Sequence, residues 1–117
     1  MYRTAKEPND LERFFVERAN AGDVEGLVAL YEPDATLACG DGEVVVGLDQ
    51  IRKFFVKFLA SRPYLSPSAQ APALCSANVA LTSSRLDNGD ITAEIARRQP
   101  DGTWLWAVDQ FALGKDE

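Results

Sequence analysis

Histidine is absent from the 117 residues, and that single absence removes several reaction classes. Without imidazole the chain has no side chain whose ordinary pKa lies near neutrality and lacks the commonest transition-metal ligand. Ser-His and Cys-His nucleophile systems are excluded, so any proton transfer must use carboxylates, cysteine, tyrosine, lysine or water. Cysteine is nearly absent too. Cys39 and Cys75 fit reduced thiols better than a disulfide framework, and two thiols alone cannot form a metal site. No apolar run approaches the length of a spanning helix, and residues 1–8 lack the apolar stretch of a signal peptide, so the sequence reads as cytoplasmic. Positive charge is scarce: 12 Lys and Arg stand against 18 Asp and Glu, for a net charge of −6. The basic residues are scattered, with Arg52-Lys53 and Arg97-Arg98 the only adjacent pairs. Neither nucleic acid nor an anionic membrane surface is therefore expected as a partner.

What is present is a chain that is 46% hydrophobic, enough for one modest core and one domain over residues 1–117. The densest signal runs from Asn20 to Thr36. Gly22 suits the left-handed turn that ends a helix, Asp23 can cap the next one, and Pro33-Asp34 stops it before Ala35-Thr36-Leu37 begins a strand. A first helix is expected over about 10–21, with Asn9 as its cap and Glu12 three residues later in capping-box spacing. A second is expected over 24–31, with Leu27, Leu30 and Tyr31 inward. Thr36–Cys39 and Glu43–Val46 flank Gly40-Asp41-Gly42 as a hairpin. Helix three, 48–61, carries Ile51, Phe54, Phe55, Phe58 and Leu59 on one stripe and must lie across an apolar sheet. Pro67 and Pro72 make the passage after it irregular, with a short strand at 74–77. Strands 79–86 and 91–98 enclose Asp87-Asn88-Gly89-Asp90, and a long last strand is expected over 103–113. Helices followed by a run of antiparallel strands imply an α+β domain with its helices on one face of a curved sheet.

Alternation along the last strand divides it into two faces. Leu105, Ala107, Asp109, Phe111 and Leu113 fall on one, and Trp104, Trp106, Val108 and Gln110 on the other. If the first face lines a pocket, the tryptophan-bearing face is exposed in a monomer, which predicts a homodimer through Trp104 and Trp106. Asp109 then has two readings: a carboxyl held neutral by apolar neighbours and able to donate a hydrogen bond, or an interface residue paired with an arginine. Cys39 reads as a small buried hydrophobe rather than a nucleophile or soft base. Tyr31 and Tyr64 read as packing aromatics with wet tips. Glu94, which shares a face with Thr92, Ala96 and Arg98, reads as a solvated cross-strand partner of arginine.

Taken together, Asn20-Ala21-Gly22-Asp23 through Asp34-Ala35-Thr36, Gly47-Leu48-Asp49-Gln50-Ile51, and Pro100-Asp101-Gly102-Thr103-Trp104 leading to Val108-Asp109-Gln110-Phe111 resemble the nuclear-transport-factor-2-like superfamily. Within it they resemble the ketosteroid isomerase and SnoaL-like branch. The resemblance implies a cone-shaped, cystatin-like roll in which three N-terminal helices pack on a curved, mainly antiparallel sheet. It also implies a pocket for a small, apolar, oxygen-bearing molecule, and no metal, nucleotide or organic cofactor. Relatives of that kind move a proton with a strand aspartate and stabilise an enolate oxygen with a tyrosine and a protonated aspartic acid. Here the shuttle position falls on Cys39 and the tyrosine position on Phe15, which disfavours steroid isomerisation. Asp109 alone matches, as the acid in its Asp-x-Phe setting, and is the catalytic candidate. Phe15, Tyr31, Leu37, Cys39, Phe54, Phe55, Phe58, Leu105, Ala107 and Phe111 are the expected ligand-binding residues. The expected chemistry is cofactor-independent isomerisation, dehydration or cyclisation, with a non-catalytic binding or association module as the alternative.

Overall fold

The structure, a computed structural model, describes residues 2–39 and 42–110. Three helices, α1 (Asp10–Asn20), α2 (Val24–Val28) and α3 (Leu48–Ala60), pack on a seven-stranded sheet. Its strands are β1 (Tyr31–Ala38), β2 (Val44–Val46), β3 (Ala69–Gln70), β4 (Leu74–Ser76), β5 (Val79–Arg85), β6 (Ile91–Arg98) and β7 (Trp104–Gln110). The order across the sheet is β2-β1-β7-β6-β5-β3, with β4 also on β5; β1 runs parallel to β7 and every other pairing is antiparallel. This is the expected α+β roll, with a mixed, mostly antiparallel sheet.

Local chemistry sets the helix boundaries. Gly22 adopts φ +69° after α1, a left-handed conformation that glycine takes at no steric cost. One residue on, the Asp23 carboxylate accepts from the Gly26 N–H at 2.9 Å and caps α2, satisfying a donor with no partner inside the helix. At α1 the cap differs from expectation. Asn9 makes no side-chain cap bond; instead Asp10 accepts from the Lys6 and Glu7 N–H groups at 3.0 and 3.1 Å. Glu12 is thereby left out of any capping box.

Three further corrections matter for the site. The second helix ends at Val28, and Tyr31 is the first residue of β1, paired with Trp106 of β7. Pro33 and Asp34 lie inside that strand, where the register with β7 shifts between Tyr31 and Thr36. Proline lacks the N–H a ladder needs, so an irregular stretch is where a strand tolerates it. In β7 the pairing with β6 passes from Ile95–Val108 to Ala96–Trp106 and skips Ala107. That extra residue is a bulge, and it resets the alternation of side chains. Trp104, Trp106 and Asp109 therefore all face inward, with Val108 outward. Both tryptophans are core residues of the protomer, so they cannot form the exposed dimer face that simple alternation predicts.

The core sits between the helices and the inner face of β1 and β7. Phe15, Tyr31, Phe55 and Trp106 form its aromatic centre, with ring centroids 5.3 to 5.9 Å apart in tilted or edge-on pairs, the geometry ring quadrupoles favour. Across β5, β6 and β7 the polarity is inverted. Thr82, Glu94 and Asp109 lie side by side in register and face inward, while the adjoining row Leu81, Ile95 and Val108 faces solvent.

Candidate functional site

An inward row of polar side chains is unfavourable unless it faces a space with a use. Here Glu94 and Asp109 of that row line a cavity of about 210 Å³ bounded by α1, β6, β7 and two connecting segments. The rim is formed by Tyr64, Leu65 and Ser66 on one side and by Leu86, Asp87 and Asn88 of the β5–β6 turn on the other; Phe15, Trp106, Glu94 and Asp109 form the buried end. The segment carrying Tyr64 follows α3 without regular structure, yet it is pinned. Asn20 donates to the Leu65 carbonyl at 2.8 Å and accepts from the Leu65 N–H at 2.7 Å.

At the inner end the Tyr31 hydroxyl donates to Asp109 Oδ2 at 2.5 Å. Both groups are about 97% or more buried. Burial pushes the Asp109 carboxyl well above the usual carboxylate range, and the neighbouring Glu94 carboxylate pushes it further; the Tyr31 hydrogen bond opposes this only in part. Burial and the facing Asp109 likewise hold Tyr31 protonated. With the Tyr31 hydroxyl on Oδ2, a protonated Asp109 would carry its donor on Oδ1. A tyrosine and an acid are thus hydrogen-bonded here, the tyrosine from β1 and the acid from β7.

Two further carboxyls line the same cavity. Glu94 is 3% exposed and accepts from Thr82 Oγ1 at 2.6 Å; burial raises its pKa, and the threonine bond opposes part of that rise. The solvated arginine pairing expected of Glu94 is overturned, because β6 turns its Thr92, Glu94 and Ala96 face inward. Glu12 accepts from Ser68 Oγ at 3.1 Å, and burial together with the Glu94 charge raises it to about 7. No lysine or arginine is among the described residues lining the cavity. Nor do the described residues include a group of three or more His, Cys, Asp or Glu placed to hold a metal.

Of the residues singled out in the sequence, Asp109 and Phe15 lie on the cavity wall, and Tyr31 reaches it through Asp109. Leu37 and Phe55 are fully buried core. Cys39, Phe54 and Phe58 pack at the core's margin away from the cavity, and Phe54 borders a separate surface depression between α3 and β2. Leu105 lies near the N-terminal segment, and Ala107 is the bulged residue. Phe111 lies outside the described residues, as do Leu113 and the Gly40-Asp41 turn. Tyr64 sits at the rim, 77% exposed. Glu12, Glu94 and Trp106 complete the wall. Glu94 had no sequence signal as a cavity residue, since alternation with Ile91 and Ile95 points the isoleucines inward and the structure does the reverse.

The family model described as SnoaL-like domain matches residues 11–117. No curated protein matches significantly. Among solved structures, one from Thiobacillus denitrificans, provisionally named a calcium/calmodulin-dependent protein kinase type II association domain, has a TM-score of 0.75 at 12% identity, covering 93% of this chain and 96% of its own. A Nostoc punctiforme protein of unknown function with a cystatin-like fold gives 0.70 at 18%, with 87% and 84% covered. A ketosteroid isomerase-like protein from Erwinia carotovora atroseptica gives 0.68 at 16%, with 87% and 89% covered. Likeness at such identities shows a common fold.

Proposed function

The chain belongs to the SnoaL-like domain family of the nuclear-transport-factor-2-like superfamily, and on that premise we propose that its cavity binds a small, mostly apolar molecule through an oxygen atom. The observation that carries this reading is the buried Tyr31–Asp109 pair at the inner end of a cavity where Phe15, Val16, Leu65, Leu86 and Trp106 supply apolar wall beside the carboxyls of Glu12 and Glu94. A neutral carboxyl there donates to a carbonyl or enolate oxygen without the cost of burying an ion. Stabilising developing charge on that oxygen supports cofactor-independent isomerisation, dehydration or cyclisation.

β-Tetralone, a bicyclic ketone with one carbonyl, serves as probe. It is expected to raise the melting temperature of the wild type, since a ligand bound only to the folded state stabilises it. The double variant Tyr31→Phe/Asp109→Leu removes both partners together, so no buried polar atom is orphaned. It should fold and lose the rise in melting temperature. An equal rise in the double variant refutes the oxygen-binding role of Asp109.

A second reading, association through the sheet, is favoured by the outward row of Leu81, Ile95 and Val108, which are 41 to 48% exposed and directly adjacent across β5, β6 and β7. We take a second copy of this chain as its occupant, because a neutral aliphatic row is where two molecules of charge −6 meet with least repulsion. Sedimentation at micromolar concentration should show a dimer, and Ile95→Lys a monomer of nearly unchanged stability. A monomeric wild type would remove this interface.

A further inference from the structure

We propose that Glu12 is the proton-transferring group of the cavity, filling the role that the strand position occupied by Cys39 does not. The inference rests on the oxygen-binding reading above and adds the substrate class: a carbonyl compound with an acidic C–H beside the carbonyl. Cys39 is not among the cavity-lining residues, so the base must come from another element.

Three carboxyls reach the cavity, and their positions divide the work. Asp109 and Glu94 are each 3% exposed and are held by Tyr31 and Thr82. Both sit at the buried inner end of the cavity. Glu12 differs in placement. It projects from α1 into the cavity and at the same time borders an adjoining surface depression with Val16, Pro67, Ser68 and Gln70. It therefore faces substrate on one side and solvent on the other, which a proton shuttle requires. Its helix neighbours are neutralised: Asp10 pairs with Arg13 at 2.7 Å and Glu17 with Arg3 at 2.7 Å. Glu12 accepts its hydrogen bond from a neutral serine hydroxyl. The ionisable groups facing it are Glu94 on β6, Asp109 on β7 and Asp87 in the β5–β6 turn, with Arg13 and Glu17 beside it on α1. Burial and Glu94 together place its titration at about 7, where a carboxylate is both basic enough to take a proton and present in quantity.

The step balances without any co-reactant. The Glu12 carboxylate takes the proton from the α-carbon, the C–H electron pair becomes the C=C bond of an enolate, and the former carbonyl oxygen receives the hydrogen bond of Asp109 Oδ1–H. Glu12, now the acid, returns the proton to the same carbon or to a conjugated one. The net result is exchange or isomerisation, and the carboxylate is regenerated.

The test is solvent exchange of the benzylic α-protons of β-tetralone in D2O, followed by proton NMR, with binding measured separately by the ligand-induced rise in melting temperature. Wild-type protein should accelerate exchange, with a rate that rises through a single ionisation near pH 7. Glu12→Gln should retain the melting response and lose about 100-fold or more in rate. Glu94→Gln should keep exchange but move the midpoint of the pH profile downward, because the charge opposing Glu12 ionisation is gone. That displacement is one a purely structural Glu12 would not produce. If β-tetralone binds and Glu12→Gln exchanges as fast as wild type, or wild type does not accelerate exchange, the role of Glu12 is overturned while the binding site stands. If β-tetralone fails to bind wild type, the oxygen-binding reading fails and takes this one with it.

Discussion

Between pH 4.5 and 7 this protein is expected to lose stability, by roughly 3 kcal/mol from Glu12 alone. Glu12 titrates near its ordinary 4.5 in the unfolded chain and at about 7 in the folded one. Below 4.5 both states hold the proton. Between the two values only the folded state holds it, so each rise in pH favours unfolding; above 7 the contribution is flat. Each tenfold difference in proton affinity between the two states corresponds to about 1.4 kcal/mol, which yields the stated size as an upper figure. Asp109 and Glu94, raised as well, act in the same direction. The acids with lowered values, Asp10, Glu25 and Asp101, act oppositely but below about pH 4.5, outside this window. Urea denaturation at intervals from about pH 4.5 to 8 should thus show a falling midpoint, and Glu12→Gln should flatten the fall and exceed wild type at the alkaline end. A wild-type midpoint that climbs over the same interval would mean Glu12 is ion-paired or solvated.

Much of the architecture is carried by short-range signals that a sequence displays openly. Gly22 and Asp23 between two helices, Gly47 before α3, and Asn88-Gly89 between two strands each need only neighbours within a few residues to act, and each acts as expected. The site depends on contacts between distant segments, and local rules mislead there. Asn9 and Glu12 have the spacing of a capping box, but Asp10 takes the backbone donors, and Glu12 faces the cavity instead. Tyr31 continues the helical pattern of Leu27 and Leu30, yet pairing with Trp106 draws it into a strand and sets its hydroxyl against a residue 78 positions away. Glu94 looks like a surface residue because an acid seldom faces inward. Nothing within β6 says that its polar face is the concave one. The position of Asp109 in the sequence suggested a buried acid, but its partner was not visible.

The bulge at Ala107 is the costliest of these to miss, and Trp106→Ala exposes its consequence. Strict alternation places Trp106 opposite Asp109, on an outer surface, where truncation to alanine would leave the protomer intact and weaken only a concentration-dependent association. The bulge instead buries Trp106 to 2% exposure beneath Tyr31 and Phe15. Removing an indole from such a place forfeits its transfer from water and opens a void that neighbouring rings fill only in part, together about 3–5 kcal/mol. Domains of this size hold about 5–15 kcal/mol in all, so the variant should lose a large fraction of its stability. Trp106→Phe, which keeps an aromatic ring in the cluster, should lose much less. Urea melts at two protein concentrations separate the alternatives. A large drop in midpoint that is the same at both concentrations belongs to a core residue, whereas a small drop that deepens on dilution belongs to an interface. The first outcome also fixes the cavity, because Trp106 and Asp109 can share one wall only if the strand between them carries an extra residue.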